Sequence, residues 1–258
     1  MRDFRIFFFK VGNGHCSYIE FPNGTNALVD VKVCDETDDL ENIVEILRKA
    51  NINKIDRLII THPHRDHIGG LSEVVDNFTI DKFLYSPVEF TPDPIYDDWE
   101  VYEDMKLGKY CNEAIEVAEG WYSTIGSTRI DYLAPVKTFL ENWPEEVNNN
   151  SLVLRISARG HKIIIPGDME EDGWDFISDS GIKNITLLLA PHHGNKGGYN
   201  SEKMKKMNPA FVVISAGPKT EHDADKRYRN IARKKVYTTR QKRIVVKIDS
   251  NNTLHMIA

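Results

Sequence analysis

Apolar residues occur in short runs along the first third of the chain, and glycine-containing turns separate these runs. Phe4–Phe9, Cys16–Phe21 and Asn26–Val31 are enriched in aromatic and aliphatic residues. Apolar runs of about four to eight residues between Gly, Pro and Asn signals are typical of β-strands joined by hairpins. The pattern therefore predicts that the fold begins with a β-meander.

Helical spacing begins in Asp39–Ala50, where apolar side chains recur three and four positions apart. This spacing predicts an amphipathic helix, which Asp38 or Asp39 would cap. Helix and strand signals then alternate, and they predict strand Lys54–Thr61, helix Gly69–Phe78 and strand Lys82–Ser86.

Residues 87–110 interrupt this alternation. They are acidic, contain prolines and aromatic residues, and lack a clear period. Long segments of this kind in compact domains are often functional, so we interpret 87–110 as an insertion or lid over a site. A surface loop without a function is the alternative interpretation.

The second half of the chain repeats the alternation of strands and helices. A hairpin is predicted at Ser151–Ser157 and His161–Asp168, and buried strands at Asn184–Pro191 and Ala210–Gly217. A basic helix and two short strands follow. Strands of mixed order with helices between them indicate two sheets sandwiched between helices. We therefore predict an α/β fold with a single domain over residues 1–258.

The composition is that of an ordinary globular protein, with 41% hydrophobic and 28% charged residues. No apolar run is long enough to cross a bilayer, and the N-terminal segment does not resemble a signal peptide. The three cysteines, Cys16, Cys34 and Cys111, have no C-x-x-C spacing and an odd count. We therefore expect no disulfide framework, no membrane insertion and a reducing, cytoplasmic location.

The formal net charge of −6 is distributed unevenly. Residues 1–195 contain 18 Lys and Arg against 34 Asp and Glu, whereas residues 196–247 contain 15 basic residues against 4 acidic ones. A basic C-terminal segment at 219–243 on an acidic body is suited to hold a polyanion, such as a nucleic acid, near one face. A solvated surface with ordinary lysines is the alternative interpretation.

The most specific motif is THPHRDHIGG at Thr61–Gly70, directly after a buried strand. Side chains alternate along an extended chain, so His62 and His64 point to the same side. Asp66 and His67 follow where the chain turns into a helix. Imidazole with carboxylate suits zinc, and iron or manganese less often. Four neighbouring ligands converge poorly on one ion, so we predict two ions. His62 and His64 would bind one ion, and Asp66 and His67 would bind the other.

Further ligands are expected from the ends of other buried strands. Asp168 ends one apolar strand and is placed to bridge two ions, whereas His192 and His193 end another strand. Strand ends in layered α/β folds commonly form the functional site, so these residues are predicted to converge with the first motif. Adjacent residues point apart, so one of the two histidines should bind metal and the other should donate a proton or hydrogen bond.

Motifs of other chemistries are absent from the sequence. It contains no G-x-S-x-G elbow, no P-loop and no dinucleotide-binding glycine fingerprint. Metal-assisted hydrolysis is the chemistry that the motifs support.

Together these motifs resemble the metallo-β-lactamase superfamily, which has H-x-H-x-D-H followed by Gly-Gly, a later GD and a later HHG. Within it the chain is most similar to the hydrolase domain of the DNA-uptake protein ComEC and its stand-alone relatives. The resemblance covers the whole length, including the opening hairpin that ends in Asp30, NNNSLVLRI, PGDME, PHHGN and the closing VYTTRQKRIVVKI. It implies a four-layer αββα sandwich, a dinuclear metal centre and hydrolase activity.

Three positions depart from this family pattern. A further histidine ligand is common between the first motif and the GD element; here that position falls in NNNS, so Asn149 or a water would replace it. His15 stands where the ComEC-type relatives usually have an acidic residue, and its role stays open. Asn195 replaces a serine after HHG. His161, which is near NNNS in the sequence, is interpreted as a surface residue.

The resemblance and the motifs together predict a metal-dependent hydrolase in which two ions activate a water. Asp66 would accept a proton from that water. Asn149, Asn195 and His222 are candidate substrate contacts, and a surface position without a role is the alternative for His222. Resemblance to a DNA-handling group, an open coordination position and the basic segment favour a phosphodiesterase or nuclease.

Two alternatives stay open. The protein could hydrolyse a small ester, thioester or lactam, with residues 87–110 closing over a compact substrate. It could also be a binding or regulatory component of a multiprotein system, for example in phage defence, that uses the metal only for stability. The fold does not decide between them, because this architecture carries many activities.

Overall fold

Two β-sheets packed face to face form the centre of the computed structural model, which describes residues 2–33 and 40–258. Helices cover the outer face of each sheet. The layers follow the order helix, sheet, sheet, helix, which confirms the predicted αββα sandwich.

The first sheet contains eight strands within the described ranges. In spatial order they are β15 (Leu254–Ile257), β14 (Ile244–Ile248), β1 (Phe4–Phe8), β2 (Ser17–Glu20), β3 (Asn26–Val29), β4 (Lys54–Ile60), β5 (Thr79–Tyr85) and β6 (Cys111–Glu116). Neighbours from β15 to β3 are antiparallel, and those from β3 to β6 are parallel. The carboxyl ends of β3, β4 and β5 therefore lie at one edge, where the first metal motif follows β4.

The second sheet contains seven strands in the same part of the chain. In spatial order they are β13 (Lys235–Thr238), β12 (Phe211–Ile214), β11 (Leu187–Leu189), β10 (His161–Ile165), β9 (Leu154–Ala158), β8 (Thr128–Tyr132) and β7 (Tyr122–Ile125). Neighbours from β13 to β10 are parallel, and those from β10 to β7 are antiparallel. Asp168 and the histidine pair follow β10 and β11 at the shared carboxyl edge.

Apolar side chains from both inner faces fill the space between the sheets. Phe4, Ile6 and Phe8 of β1 are fully buried there, as expected for alternate residues of a strand with one face in the core. Ile163 and Ile165 contribute from β10 in the opposite sheet. Burial of this apolar surface is the main force that holds the two sheets together.

Each outer face carries its own layer of helices. Beside the first sheet lie α1 (Ile43–Lys49), α2 (Arg65–Ile68), α3 (Leu71–Asn77) and α4 (Asp97–Lys106). Beside the second sheet lie α6 (Glu171–Phe176), α7 (Asp179–Ile182), α8 (Ser201–Met207) and α9 (Asp225–Ile231), and α5 (Lys137–Asn142) contacts α6 through Phe139 and Phe176. Of the helices in the described ranges, none has both the length and the apolar character needed to cross a membrane.

Helix α4 was not predicted, because it lies inside the segment 87–110 that lacks a clear sequence period. Trp99, Tyr102 and Met105 recur at every third position of α4 and pack on the first sheet. The acidic residues between them hide this spacing in the sequence. The role of the segment as a lid stays a prediction.

Strands β6, β7 and β15 were also not predicted. In each of them at least half of the positions are exposed or half-buried, so the apolar pattern is weak. Helix α1 begins at a later residue than the sequence pattern indicated. Its N-cap is Asn42, whose side chain accepts a hydrogen bond from the Glu45 N–H. The suggested caps, Asp38 and Asp39, lie outside the described residues.

The carboxyl edges of the two sheets meet at the loops that follow β4 and β10. The Leu152 N–H donates to the carbonyl of Thr61 at 2.8 Å, which joins the two edges. Gly167 lies at this contact with φ +57°, and a Cβ there would come within 2.9 Å of the side chains of Ser151 and Thr61. Glycine alone combines this backbone conformation with the required space, so the approach of the two sheets fixes the residue.

Ile163 is expected to contribute strongly to stability. It is fully buried between the sheets. Ile163→Ala should lower the free energy of unfolding by about 2–5 kcal/mol, measured by urea denaturation followed by circular dichroism. Ile257→Ala is the matched control, because Ile257 is 53% exposed and should cost less than about 0.5 kcal/mol. Equal losses in the two variants would contradict this placement of the core.

Candidate metal centre

The motif after β4 folds as a short extended segment followed by the one-turn helix α2. His62 and His64 lie on the same side, with ring centroids 4.8 Å apart, and Asp66 and His67 lie in α2. Gly70 then has φ +131°, and a Cβ there would lie 2.4 Å from the Val33 side chain. The glycine therefore allows α2 to pass close to the chain after β3 and to present its residues at the sheet edge.

Asp168 follows β10 and brings the second sheet to this motif. Its Oδ1 lies 3.1 Å from His67 Nε2, and its Oδ2 lies 3.4 Å from His193 Nε2. His62 Nε2 and His192 Nε2 are 3.9 and 3.7 Å from Oδ2. One buried carboxylate is therefore surrounded by four imidazoles, which is the geometry expected of a bridging ligand.

Four side chains form the closest group, because each offers one ligand atom within 4.8 Å of the others. They are Asp66, His67, Asp168 and His193. His193 Nε2 lies 3.2 Å from Asp66 Oδ2 and 3.2 Å from His67 Nε2. Imidazole nitrogens and carboxylate oxygens are donors for zinc and manganese, so the donor set fits a transition-metal ion.

His62 directs a free nitrogen toward the same region. Thr61 Oγ1 donates its proton to Asp30 Oδ2 at 2.8 Å, so it accepts a hydrogen bond from His62 Nδ1, 3.2 Å away. His62 therefore carries its proton on Nδ1 and a lone pair on Nε2. This Nε2 is buried and has no hydrogen-bond partner among the described residues. An unpaired buried nitrogen beside a carboxylate fits a metal ligand.

Asp30, directly after β3, orients His67. Its Oδ2 accepts a hydrogen bond from His67 Nδ1 at 2.7 Å, and its Oδ1 accepts one from the Thr61 N–H at 2.7 Å. His67 Nε2 is thereby left to face Asp168. A carboxylate behind a metal-binding histidine fixes the tautomer and raises the basicity of the ring. The sequence pointed to Asp30 only through the family resemblance and did not show this contact.

The adjacent histidines point apart because both have left-handed backbone conformations, with φ 48° at His192 and 53° at His193. His193 Nδ1 donates to the carbonyl of Ser215 at 3.1 Å, which turns Nε2 toward the cluster. His192 places Nδ1 2.8 Å from Glu170 Oε1. The structure thus groups His193 with the candidate ligands. The sequence pattern did not indicate Glu170, although its position two residues after Asp168 is a usable signal.

Burial and charge give the histidines two different protonation states. Burial lowers the pKa of His62 well below its usual value and also lowers that of His64. Burial opposes the charge of His67 and His193 too, but neighbouring carboxylates outweigh it. Asp168 and Asp30 raise the pKa of His67 well above its usual range, and Asp168 and Asp66 raise that of His193 to about 9. Without metal, His62 and His64 are therefore neutral, whereas His67 and His193 are protonated.

Asn148, and not Asn149, faces the metal motif. Asn149 Oδ1 accepts hydrogen bonds from the backbone N–H groups of Glu170 and Gly173 at 3.0 and 3.1 Å, so it does not fill the open coordination position. Asn148 lies beside His64 and donates from Nδ2 to Glu170 Oε1 at 3.3 Å. The role of Asn149 as a substrate contact stays a prediction.

The other residues singled out in the sequence lie outside the cluster. Asn195 is half-buried, and its Oδ1 accepts a hydrogen bond from the Gly197 N–H in its own loop. The side chain of His222 is 68% exposed. His161 begins β10, at the end of that strand away from Asp168. The structure therefore agrees with a surface position for His222 and His161.

His15 is buried beside the cluster, where the sequence left its role open. Its backbone N–H donates to the carbonyl of Asp66 at 3.1 Å, and its Nε2 lies in hydrogen-bond contact with Ser17 Oγ at 3.1 Å. The ring centroid is 6.5 Å from that of His67. His15 therefore packs behind α2 and supports the segment that carries Asp66 and His67.

A family model described as the metallo-β-lactamase superfamily matches residues 9–216. The match begins directly after β1, ends just beyond β12, and contains every residue of the cluster. The chain belongs to the metallo-β-lactamase superfamily. The H-x-H-x-D-H motif and the GD element both lie within the matched residues.

Two relatives support the ComEC-type relationship within the superfamily. ComE operon protein 3 of Bacillus subtilis (strain 168) is 30% identical over 181 residues, which are 68% of this chain and 22% of that protein. Competence protein ComA of Neisseria gonorrhoeae is 24% identical over 179 residues, again 68% of this chain and 22% of that protein. The match spans about a fifth of the length of these curated relatives.

A solved structure of the superfamily shares the fold. The metallo-β-lactamase fold protein YhfI of Bacillus subtilis has a TM-score of 0.59 and 14% sequence identity to this chain. The similarity covers 94% of this chain and 99% of YhfI. It shows that the two metallo-β-lactamase proteins have the same architecture.

We expect Asp30→Asn to weaken metal binding through His67. Asparagine tolerates the φ of +55° at this position, but its Nδ2 donates a proton where Asp30 accepts one. In its neutral, metal-binding form His67 must then accept on Nδ1 and carry its proton on Nε2, which leaves no lone pair on Nε2 for an ion. Affinity for one zinc ion should fall by about 10- to 100-fold, measured by competition with a chromogenic chelator.

Asp56→Asn is the matched control for this experiment. Asp56 also accepts a backbone hydrogen bond, from the Asn26 N–H at 2.9 Å, but it lies at the opposite end of β4 from the cluster. The zinc affinity of the Asp56→Asn protein should equal that of the unmodified protein. A folded Asp30→Asn protein with full zinc affinity would show that Asp30 does not set the tautomer of His67.

Proposed function

We propose that the protein is a dinuclear metal-dependent hydrolase and that its substrate is a phosphodiester. The observation that carries this proposal is the convergence of imidazole and carboxylate groups from both sheets on Asp168. The unpaired Nε2 of His62 supports it, because a buried nitrogen of this kind fits a bound ion. Membership of the metallo-β-lactamase superfamily supports hydrolysis as the reaction class.

The proposed ligands divide into two sets that share Asp168. One set is His62, His64 and Asp168; the other is Asp66, His67, His193 and Asp168. Zinc suits this histidine-rich donor set, and manganese is the alternative. Two bound ions supply an activated water near neutral pH and neutralise the charge that develops on the substrate.

Asp66 and His192 are the proposed proton-transfer groups. The side chain of Asp66 is 40% exposed, so its carboxylate is accessible to a water that enters the site. Glu170 holds His192 through Nδ1, which leaves His192 Nε2 to give a proton to the leaving oxygen. Burial opposes the charge of this imidazole, but Glu170 and Asp168 raise its pKa above the usual value, which favours the proton-donating form.

The choice of a phosphodiester rests on the ComEC-type relationship, the open coordination and the basic segment 219–243. The first ligand set has only three protein donors, which leaves room for a substrate oxygen. Lys219 and Arg229 form ion pairs with Asp225 at 3.5 and 3.9 Å, but their side chains are 62% and 64% exposed and so accessible to a polyanion. Arg240 is not available, because it is buried in ion pairs with Asp223 and Asp225.

Asn195 and His222 are retained as proposed substrate contacts because they connect the histidine loop to the basic segment. Asn195 forms an isolated β-bridge with Asp223. The Lys196 N–H donates to the carbonyl of His222 at 2.8 Å. A polymer bound at the cluster would therefore pass close to the exposed imidazole of His222.

We propose a reducing, cytoplasmic setting for this activity.

A small ester, thioester or lactam is the second candidate substrate. Phe90, from the segment 87–110, lies with its ring centroid 5.1 Å from that of His64 and packs on Trp99 at 5.4 Å. An aromatic wall beside the first ligand set would suit a compact substrate.

The proposal is tested by turnover of the metal-loaded protein. With about two zinc or manganese ions per chain, it should hydrolyse bis-p-nitrophenyl phosphate or single-stranded DNA, and chelation should abolish this reversibly. No turnover of either substrate with both ions bound would refute it. Turnover of a p-nitrophenyl ester or a β-lactam instead would support the second candidate. A melting temperature that depends on metal, without any turnover, would support a structural ion.

The two adjacent histidines should differ when each is replaced by alanine. His193→Ala removes a proposed ligand, so metal analysis should find about one ion per chain in place of two. His192→Ala should keep both ions but lower kcat by about 10²- to 10⁴-fold, because the leaving oxygen loses its proton donor. The assignment would be reversed by a His192→Ala protein that loses an ion while His193→Ala keeps both.

A further inference from the structure

A group of three aromatic rings lies where α5 and α6 meet, outside the metal cluster. Phe139 is buried and lies with its ring centroid 5.0 Å from Trp143 and 5.1 Å from Phe176. Trp143 and Phe176 are 5.8 Å apart and remain 42% and 40% exposed. Their exposed surfaces line a pocket of about 290 Å³. Large rings held in place but exposed to a pocket are suited to stack on a planar ligand.

Carboxylates form the polar rim of this pocket. Glu146, Asp172 and Asp175 line it and are exposed. Asp175 accepts a hydrogen bond from Asn200 Nδ2 at 2.9 Å. The side chains of Glu146 and Asp172 have no hydrogen bond or ion pair within residues 2–33 and 40–258. The rim therefore presents free acceptors for N–H groups and repels phosphate.

Asn149 supplies a donor to the same pocket. It is 6% exposed and lines the pocket. Its Oδ1 accepts hydrogen bonds from two backbone N–H groups at 3.0 and 3.1 Å, which fixes the orientation of the amide. Its Nδ2 donates to no group in the described part of the chain. A nearly buried amide with an unused N–H fits a ligand that carries an acceptor.

The pocket and the metal cluster share a wall. The Glu170 N–H donates to Asn149 Oδ1 at 3.0 Å, while Glu170 Oε1 lies 2.8 Å from His192 Nδ1. Asn148, the preceding residue, lies beside His64. Asn148, Asn149 and Glu170 therefore lie between the aromatic pocket and the metal cluster and contact both.

We propose that this pocket binds a nucleobase of the substrate and prefers bases with an exocyclic amino group. The proposal rests on the proposed phosphodiesterase function and deepens it. Base rings stack on exposed aromatic side chains, as in proteins that bind single strands. Asn149 Nδ2 donates to a carbonyl or ring nitrogen of the base, and the carboxylate rim accepts from its amino group. The rim also excludes phosphate, which directs the phosphodiester to the metal cluster.

Binding of free nucleosides to the zinc-loaded protein tests the pocket without requiring turnover. Deoxycytidine and deoxyadenosine should bind about ten-fold more tightly than thymidine, measured by saturation-transfer NMR titration. Trp143→Ala should weaken deoxycytidine binding by about ten-fold. Trp121→Ala is the matched control, because Trp121 is a similarly exposed tryptophan outside this pocket and should not alter the affinity.

Asp172→Asn provides a second test with an exposed residue whose replacement should not disturb folding. It should reduce the preference for deoxycytidine over thymidine while stacking is retained. The inference is overturned if no nucleoside binds, since the rings would then only join α5 and α6. It is also overturned if tetramethylammonium binds and nucleosides do not, since the pocket would then be a cation site.

Kinetics of oligonucleotide cleavage distinguish an error in the nucleobase pocket from an error in the proposed phosphodiesterase function. With oligodeoxycytidylate as substrate, Trp143→Ala should raise KM by about ten-fold and leave kcat nearly unchanged. An unchanged KM in a variant that cleaves the oligonucleotide would overturn the pocket assignment and leave the phosphodiesterase intact. Nucleoside binding without cleavage of any phosphodiester would refute the proposed function and leave a nucleoside site.

Discussion

The buried carboxylate of Asp168 is the constraint on which the site depends. A carboxylate without solvent requires compensating charge, and here His67 and His193 provide it from opposite sheets. If the two sheets separated at this edge, that charge would lose a partner. The contact that builds the site therefore also fixes how the two halves of the sandwich meet, and the missing side chain of Gly167 gives the loops the space to do so.

The two sides of the centre are chemically unequal before an ion binds. His67 and His193 are protonated and balance the surrounding carboxylates, so an ion on that side must displace protons. Its affinity should therefore increase with pH. His62 is already neutral and keeps an unpaired nitrogen, so the first ligand set accepts an ion without losing a proton. The fold thus provides one site that is ready for metal and one that exchanges protons for it.

The sequence was most informative where ligands directly follow apolar strands. Such positions identified the H-x-H-x-D-H motif and Asp168, because a buried run that ends in ligand-type residues is a local signal. The sequence did not indicate which of His192 and His193 faces the cluster. That orientation depends on two consecutive left-handed residues and on the distant carbonyl of Ser215. Glu170 and Asn148 acquire their contacts only when α6 packs beside the motif, so tertiary structure was needed to identify them.

The turn at His192, His193 and Gly194 has three consecutive positive φ angles, of 48°, 53° and 80°. Only glycine adopts this conformation without cost, and each histidine is strained by roughly 1–3 kcal/mol. The contacts of the two imidazoles with Glu170, Asp66 and Asp168 offset that strain. In evolution, a mutation that removes these partners would also remove the reason for the unusual backbone. The turn and the metal chemistry should therefore be inherited, or lost, as a single unit.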